Sequence, residues 1–171
     1  MAYYKEIVTK AVIGKGKKTI TETREINLGQ KLDNVLGCWV INHNFTGHVL
    51  NDSVIVAGNY DINVWYSYDN NTKTNVIIKT FNYQDPMKVR LKENSKLNNN
   101  SEIIVRSLNQ PSVSDVNVEN GVITLSVDKQ MGVEVIGDTI VKVSVEDEMD
   151  EYEEIIDDDI NDIDVNEDYL S

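Results

Sequence analysis

A single cysteine, Cys38, in 171 residues excludes any internal disulfide and fits a reducing compartment or a fold that needs no staple. Lying between Gly37 and Trp39 in an apolar run, Cys38 reads as a packed and inert thiol, with an intermolecular crosslink as the alternative. Histidine is almost as scarce. His43 and His48, five apart with one isolated cysteine, are too few and wrongly spaced for a structural zinc site. The two prolines, Pro86 and Pro111, follow polar residues, where strands are expected to end or begin. No apolar run approaches the roughly 18 residues that span a bilayer, so membrane insertion is not expected. The opening Met-Ala-Tyr-Tyr-Lys-Glu-Ile has no signal-peptide core, which predicts a protein made and kept in a cytoplasm.

Basic charge is absent from one end. Residues 146–171 hold 14 Asp or Glu and no Lys or Arg, leaving 15 acids against all 16 bases in residues 1–145. The formal net charge of -13 therefore belongs to a terminal tail, while the body is close to neutral. Blocks of like charge repel themselves and stay solvated, so residues 146–171 read as a disordered acidic tail and nucleic acid is not expected as a partner.

What the sequence does have is period-two alternation. Ile123, Leu125 and Val127 alternate with Thr124, Ser126 and Asp128, and Val141, Val143 and Val145 with Lys142 and Ser144. Asn120-Gly121 between two such runs predicts a tight type I′ hairpin. A longer hairpin loop is expected at Asp69, Asn70 and Asn71, a surface loop at Asn98 to Ser101, and a basic turn at Gly14 to Lys18. Strands are expected at 5–13, 19–27, 36–44, 53–68 with a kink at Gly58, 73–83, 87–92, 102–108, 113–118, 122–129 and 132–145. The only helix suggested in the body is Gln30 to Val35. The fold class that follows is all-β: an antiparallel β-sandwich or barrel-like single domain over 1–145, followed by the disordered acidic C-terminal tail.

Chemistry is hard to find in this chain. Gly14-Lys15-Gly16-Lys17-Lys18 lacks the four-residue gap and the Ser or Thr of a phosphate loop, and Asp157 to Asp162 lacks the glycine and closing glutamate of a calcium loop. Nothing singles out a catalytic carboxylate pair. No catalytic, cofactor-binding or metal residues are assigned, and the chain reads as non-enzymatic with no cofactor. The informative residues are apolar side chains on the wrong parity. Along Asp61 to Tyr68 the even positions make a core row, which puts Trp65 on the opposite face with Asp61, Asn63 and Ser67; burying Leu36, Cys38 and Val40 likewise leaves Trp39 and Ile41 needing cover. Three explanations stand: cover by the N-terminal strands, a subunit contact, or a stacking platform for sugars. In the tail, Tyr152, Ile156, Ile160 and Ile163 recur at helical spacing, as a segment that folds on a partner would; plain disorder is the alternative.

Several strings resemble a known family. Glu6 to Val12 with Gly16-Lys17-Lys18, Leu36 to His43, Tyr60 to Tyr68 with Asn71 to Thr74, and Gln110-Pro111 are similar to the outer spore coat morphogenetic protein E (CotE) family of endospore-forming bacteria. The resemblance covers the body, and the acidic tail is shared. It implies a scaffold made in the mother-cell cytoplasm and then held in the spore coat, where it forms homo-oligomers or higher assemblies around the forespore, docks on a coat basement-layer protein and recruits outer spore coat proteins. The order of residues in the tail and in Phe45 to Ala57 departs from the family pattern, so client identity does not transfer. A carbohydrate-binding β module using Trp39 and Trp65 is the alternative reading.

Overall fold

The computed structural model describes residues 3–145. All regular structure among them is β: β1 (Tyr3–Asn27), β2 (Asn34–Leu50), β3 (Ser53–Tyr68), β4 (Lys73–Met87), β5 (Arg90–Leu91), β6 (Glu102–Glu119) and β7 (Val122–Val145). They form two sheets, a four-stranded one in the order β5-β1-β7-β6 and a three-stranded one in the order β2-β3-β4. Residues 10–139 make one compact unit, and 3–9 with 140–145 belong to another.

Within 10–139 the two sheets share one core. In β3 the even row Val54, Val56, Tyr60, Ile62, Val64 and Tyr66 is buried, and in β7 the odd row Ile123, Leu125, Val127, Met131, Val133 and Val135. Ile13, Ile26, Leu32, Tyr83 and Met87 complete the cluster. A strand whose every second residue is apolar can bury only one face, so each sheet hides one side and exposes the other. The sandwich form of the fold is the expected one.

The turns follow backbone chemistry. Asn120 and Gly121 have φ of 52° and 76°, and Glu119 pairs with Val122 across them, the two-residue type I′ hairpin. The β3–β4 loop is longer, running from Tyr68 to its partner Lys73 with Asp69, Asn70 and Asn71 all at positive φ. A third tight turn, Asn51-Asp52, has the same left-handed geometry, carried by the two residue types that tolerate it best after glycine.

Several expected boundaries are corrected. Gly14 to Lys18 is no turn but the middle of β1. Its glycines serve close approach: Gly14 pairs with Leu91, Lys92 N donates to the Ile13 carbonyl at 2.7 Å, and a Cβ on Gly16 would collide with the Lys88 carbonyl. Gln30 to Val35 forms no helix, because its backbone donors go elsewhere; Asp33 N reaches Ser67 O at 2.8 Å, and β2 has begun by Asn34. Residues 102–108 and 113–118 are one strand, as are 122–129 and 132–145. The strand expected at 87–92 shrinks to Arg90–Leu91. Pro86 and Pro111 lie inside β4 and β6 instead of at strand ends. Both strands are sheet edges, where a missing N–H breaks no ladder, and Pro111 falls in the register irregularity between Asn109 and Ser112.

Candidate functional site

The outward row that parity predicted is in place. In register across the three-stranded sheet, Gly37 pairs with Trp65 and Trp65 with Val76; Trp39 pairs with Asn63 and Asn63 with Ile78; Ile41 pairs with Asp61 and Asp61 with Thr80. Trp39 is 41% exposed, Ile41 38%, Trp65 42%, Val76 45% and Ile78 60%. These five apolar side chains therefore make one patch spanning all three strands, with no further strand laid over it within residues 10–139. The two indoles reach over Gly37, where an added Cβ would lie 3.3 Å from Trp39 Cζ3 and 3.8 Å from Trp65 Cε3. Val76 and Ile78 were missed from sequence because β4 reads as continuously β-branched from Val76 to Ile78, and only the register with Trp65 and Asn63 tells the faces apart.

Two polar residues on this face are buried. Ser67 is tied down by Asn34 and Asn71, its hydroxyl donating to Asn71 Oδ1 at 2.6 Å. Asn63 has no such cover for its amide oxygen. In the middle of the patch it is only 9% exposed, and its Oδ1 has no hydrogen-bond partner. A buried acceptor left unpaired costs about 1–3 kcal/mol, so this is a position where a donor from outside is worth most.

A second constellation was not anticipated. Lys129 sits on the buried row of β7 between Val127 and Met131, its side chain fully enclosed. Its ammonium is 2.5 Å from Glu22 Oε1 and 3.1 Å from Asp85 Oδ2, and lies 3.2 Å from the centre of the Tyr83 ring. Tyr60 donates its hydroxyl to Glu22 Oε2 at 2.7 Å, and Arg24 reaches both Glu22 at 3.1 Å and Tyr60 Oη at 3.0 Å. His43 Nε2 is 2.6 Å from Tyr83 Oη. One signal could have revealed it: the parity of Leu125, Val127 and Met131 assigns Lys129 to the core, and a buried ammonium requires carboxylates around it.

The electrostatics follow from that enclosure. Burial pushes Glu22 up, but hydrogen bonds from Lys129 and Tyr60 outweigh it and hold its carboxyl below the usual range. Burial, with Glu22 beside Tyr60 and Asp85 beside Tyr83, pushes both phenols up. Burial, helped by the Lys129 ammonium, holds His43 below its ordinary value. The cluster thus sets two cations, Lys129 and Arg24, against two carboxylates, Glu22 and Asp85, within one enclosed network. The hollow beside it, lined by Asn44, Phe45, Thr46, Asn82 and Gln84, adds no titratable side chain besides Tyr83. Cys38, half-buried against the core, has its thiol pushed up by burial.

A pH dependence follows. Because His43 is depressed in the fold, the unfolded chain takes up the proton first, and the stability held by neutral His43 is lost as pH falls below 6.5. Glu22 is depressed too, so its contribution is present above 4.5 and lost only as pH falls through the lower folded value. His43→Phe should therefore flatten the urea midpoint between about pH 7 and about pH 5 while leaving the steeper acid loss intact. An unchanged slope in that variant would assign the upper window to another group.

Among the described residues no three His, Cys, Asp or Glu side chains come together as a metal site, and no helix is long and apolar enough to cross a membrane. Tyr152, Ile156, Ile160 and Ile163 lie outside the described residues.

Residues 3–170, nearly the whole chain, match the family described as outer spore coat protein E (CotE). The chain belongs to that family. No curated protein and no solved structure gives a significant match. CotE membership makes the chain an outer spore coat protein, placed in a structural family of the coat. The strings that carried the resemblance now have positions: Leu36 to His43 is the part of β2 that bears Trp39 and Ile41, and Tyr60 to Tyr68 is the part of β3 that bears Trp65.

Proposed function

We propose that this CotE protein is a non-enzymatic scaffold that self-assembles through the outer face of its three-stranded sheet and recruits other coat proteins through residues 146–171. The observation that carries the first half is the patch of Trp39, Ile41, Trp65, Val76 and Ile78, which leaves two tryptophans open to solvent around a buried, unpaired amide oxygen. Aromatic anchors ringed by smaller apolar side chains are the usual core of a protein interface. The second half rests on charge: 14 acids without one base form a long-range attractor for basic or mixed-charge partners, with Tyr152, Ile156, Ile160 and Ile163 adding apolar contact on arrival. Those clients are outer spore coat proteins, whereas docking on the coat basement-layer protein belongs to the β body; both contacts are made first in the mother-cell cytoplasm and then in the coat.

Sedimentation of the full chain over a concentration series tests the first half. A scaffold forms concentration-dependent oligomers; a constant monomer whose tryptophan fluorescence answers soluble glycans would assign the two indoles to a sugar-binding module instead. For the second half, capture of coat proteins by residues 146–171 should weaken steeply as salt rises, since the screening length falls from about 8 Å at physiological ionic strength to about 3 Å at 1 M. Changing Ile156, Ile160 and Ile163 to serine should remove the portion that survives salt. Residues 1–145 should keep their β circular dichroism and assemble without the tail, since alternation ends at Val145. A captured set indifferent to both salt and the serine variant would move recruitment to the β domain.

A further inference from the structure

The near-neutral body is not evenly charged. Lys10, Lys15, Lys17 and Lys18 of β1, with Lys88, Arg90 and Lys92 around β5, are all exposed, and no acid interrupts residues 10–18 or 88–92. The pairing of Lys15 with Arg90 brings the two stretches together. Seven of the 16 basic residues therefore lie on β1 and the chain around β5. Beside them, on the outer face of the four-stranded sheet, runs a groove of about 380 Å³ lined by Lys15, Gly16, Lys17, Arg106, Leu108, Gly132, Val133 and Glu134.

The groove has a structural cause. Gly132 is paired with Arg106 and has no side chain to fill the outer face of β7, while β1 and β6 raise long side chains on either side. Leu108, 47% exposed, leans over the gap so closely that a Cβ on Gly132 would lie 3.1 Å from its Cδ1. The result is an apolar floor between basic walls. The one acid on the rim, Glu134, is 3.9 Å from Arg106, too loose a contact to neutralise the site.

We infer that this groove takes the acidic segment 146–171 of a neighbouring copy of the chain. That segment has the complementary chemistry in the required order: Tyr152 is bracketed by Glu151 and Glu153, and Ile163 by Asp162 and Asp164, so an apolar side chain enters the floor while carboxylates meet Lys15, Lys17 and Arg106. Groove and segment are different surfaces of one chain, so each copy offers one of each. Such a head-to-tail contact propagates wherever its rotation does not close into a ring, which suits an extended layer. The inference rests on the self-assembly reading but assigns a second contact, independent of the tryptophan patch.

The test is zero-length carbodiimide coupling of the full chain, mixed from nitrogen-14 and nitrogen-15 preparations at low salt. Amide links should join Lys15 or Lys17 to carboxylates of residues 146–171, with one isotope on each side. The ion pair of Lys73 with Asp69, at 3.4 Å within one loop, supplies an internal reference link. Arg106→Glu leaves both reactive lysines in place and should lower the mixed links about three-fold relative to that reference. Salt at about 1 M, where charges are screened beyond about 3 Å, should remove them. Links confined to one isotope, links indifferent to Arg106→Glu and to salt, or none at all would overturn the inference. Sedimentation of the same samples separates the two failures: oligomers without mixed links sink the groove alone, and monomers without links sink self-assembly as well.

Discussion

Replacing Lys129 by alanine should be the most damaging single change in the β domain. Removing one partner of a buried ion pair typically costs about 3–5 kcal/mol, because the remaining charges stay enclosed without compensation. Here two carboxylates, Glu22 and Asp85, would be left facing each other across the vacated site, over a Tyr83 ring that has lost its cation. For a chain of this size the loss corresponds to a fall in melting temperature of roughly 10 °C. Lys129→Met should be nearly as harmful although it preserves volume, since the cause is unpaired charge and not a cavity. Adding Glu22→Gln and Asp85→Asn to Lys129→Met should then recover much of the stability, as apolar or neutral replacements of whole buried networks often do. The penalty of Lys129→Met should also shrink as pH falls and the orphaned carboxyls take up protons. Thermal and urea unfolding of the single and triple variants measure all of this. A loss under about 0.5 kcal/mol in both single variants would place the effect in the range of ordinary surface substitutions and refute the network's role.

The same network marks where sequence reasoning stopped. Period-two alternation was enough for the all-β class, the two buried rows and the outward position of Trp39, Ile41 and Trp65, because each depends only on which face a residue occupies. It could not locate Glu22 or Asp85 around Lys129, since those contacts join β1, β4 and β7, and sequence spacing holds no information about which strands face one another across a sandwich. The Gly14 to Lys18 stretch shows a different limit. Glycine with lysine looks like a turn locally, yet both glycines stay within β1 because β5 and its flanking chain pack against them. Pro86 and Pro111 likewise read as strand ends until the strand order shows β4 and β6 to be edges. In each case a tertiary contact, and not a local preference, decided the outcome.

Trp65→Ala should separate assembly from folding. If the outer face of the three-stranded sheet is the contact between copies, truncating an aromatic anchor there costs on the order of 2 kcal/mol of association, about a 30-fold rise in the concentration at which oligomers form. The fold should lose less, because Trp65 stands outside the core rows and is 42% exposed before any partner arrives. Asn63 gives the sharper control. Its amide oxygen is buried and unpaired in the isolated chain, so Asn63→Val removes a group that costs the monomer about 1–3 kcal/mol, and the monomer should become more stable. If a neighbouring copy supplies the missing donor, the same substitution should weaken assembly, moving the two quantities in opposite directions. No purely intramolecular role for the patch produces that split. Sedimentation and urea unfolding of both variants read it directly; a Trp65→Ala protein that assembles normally but melts far lower would return the indole to the core, and an Asn63→Val protein that gains in both would remove the contact from this face.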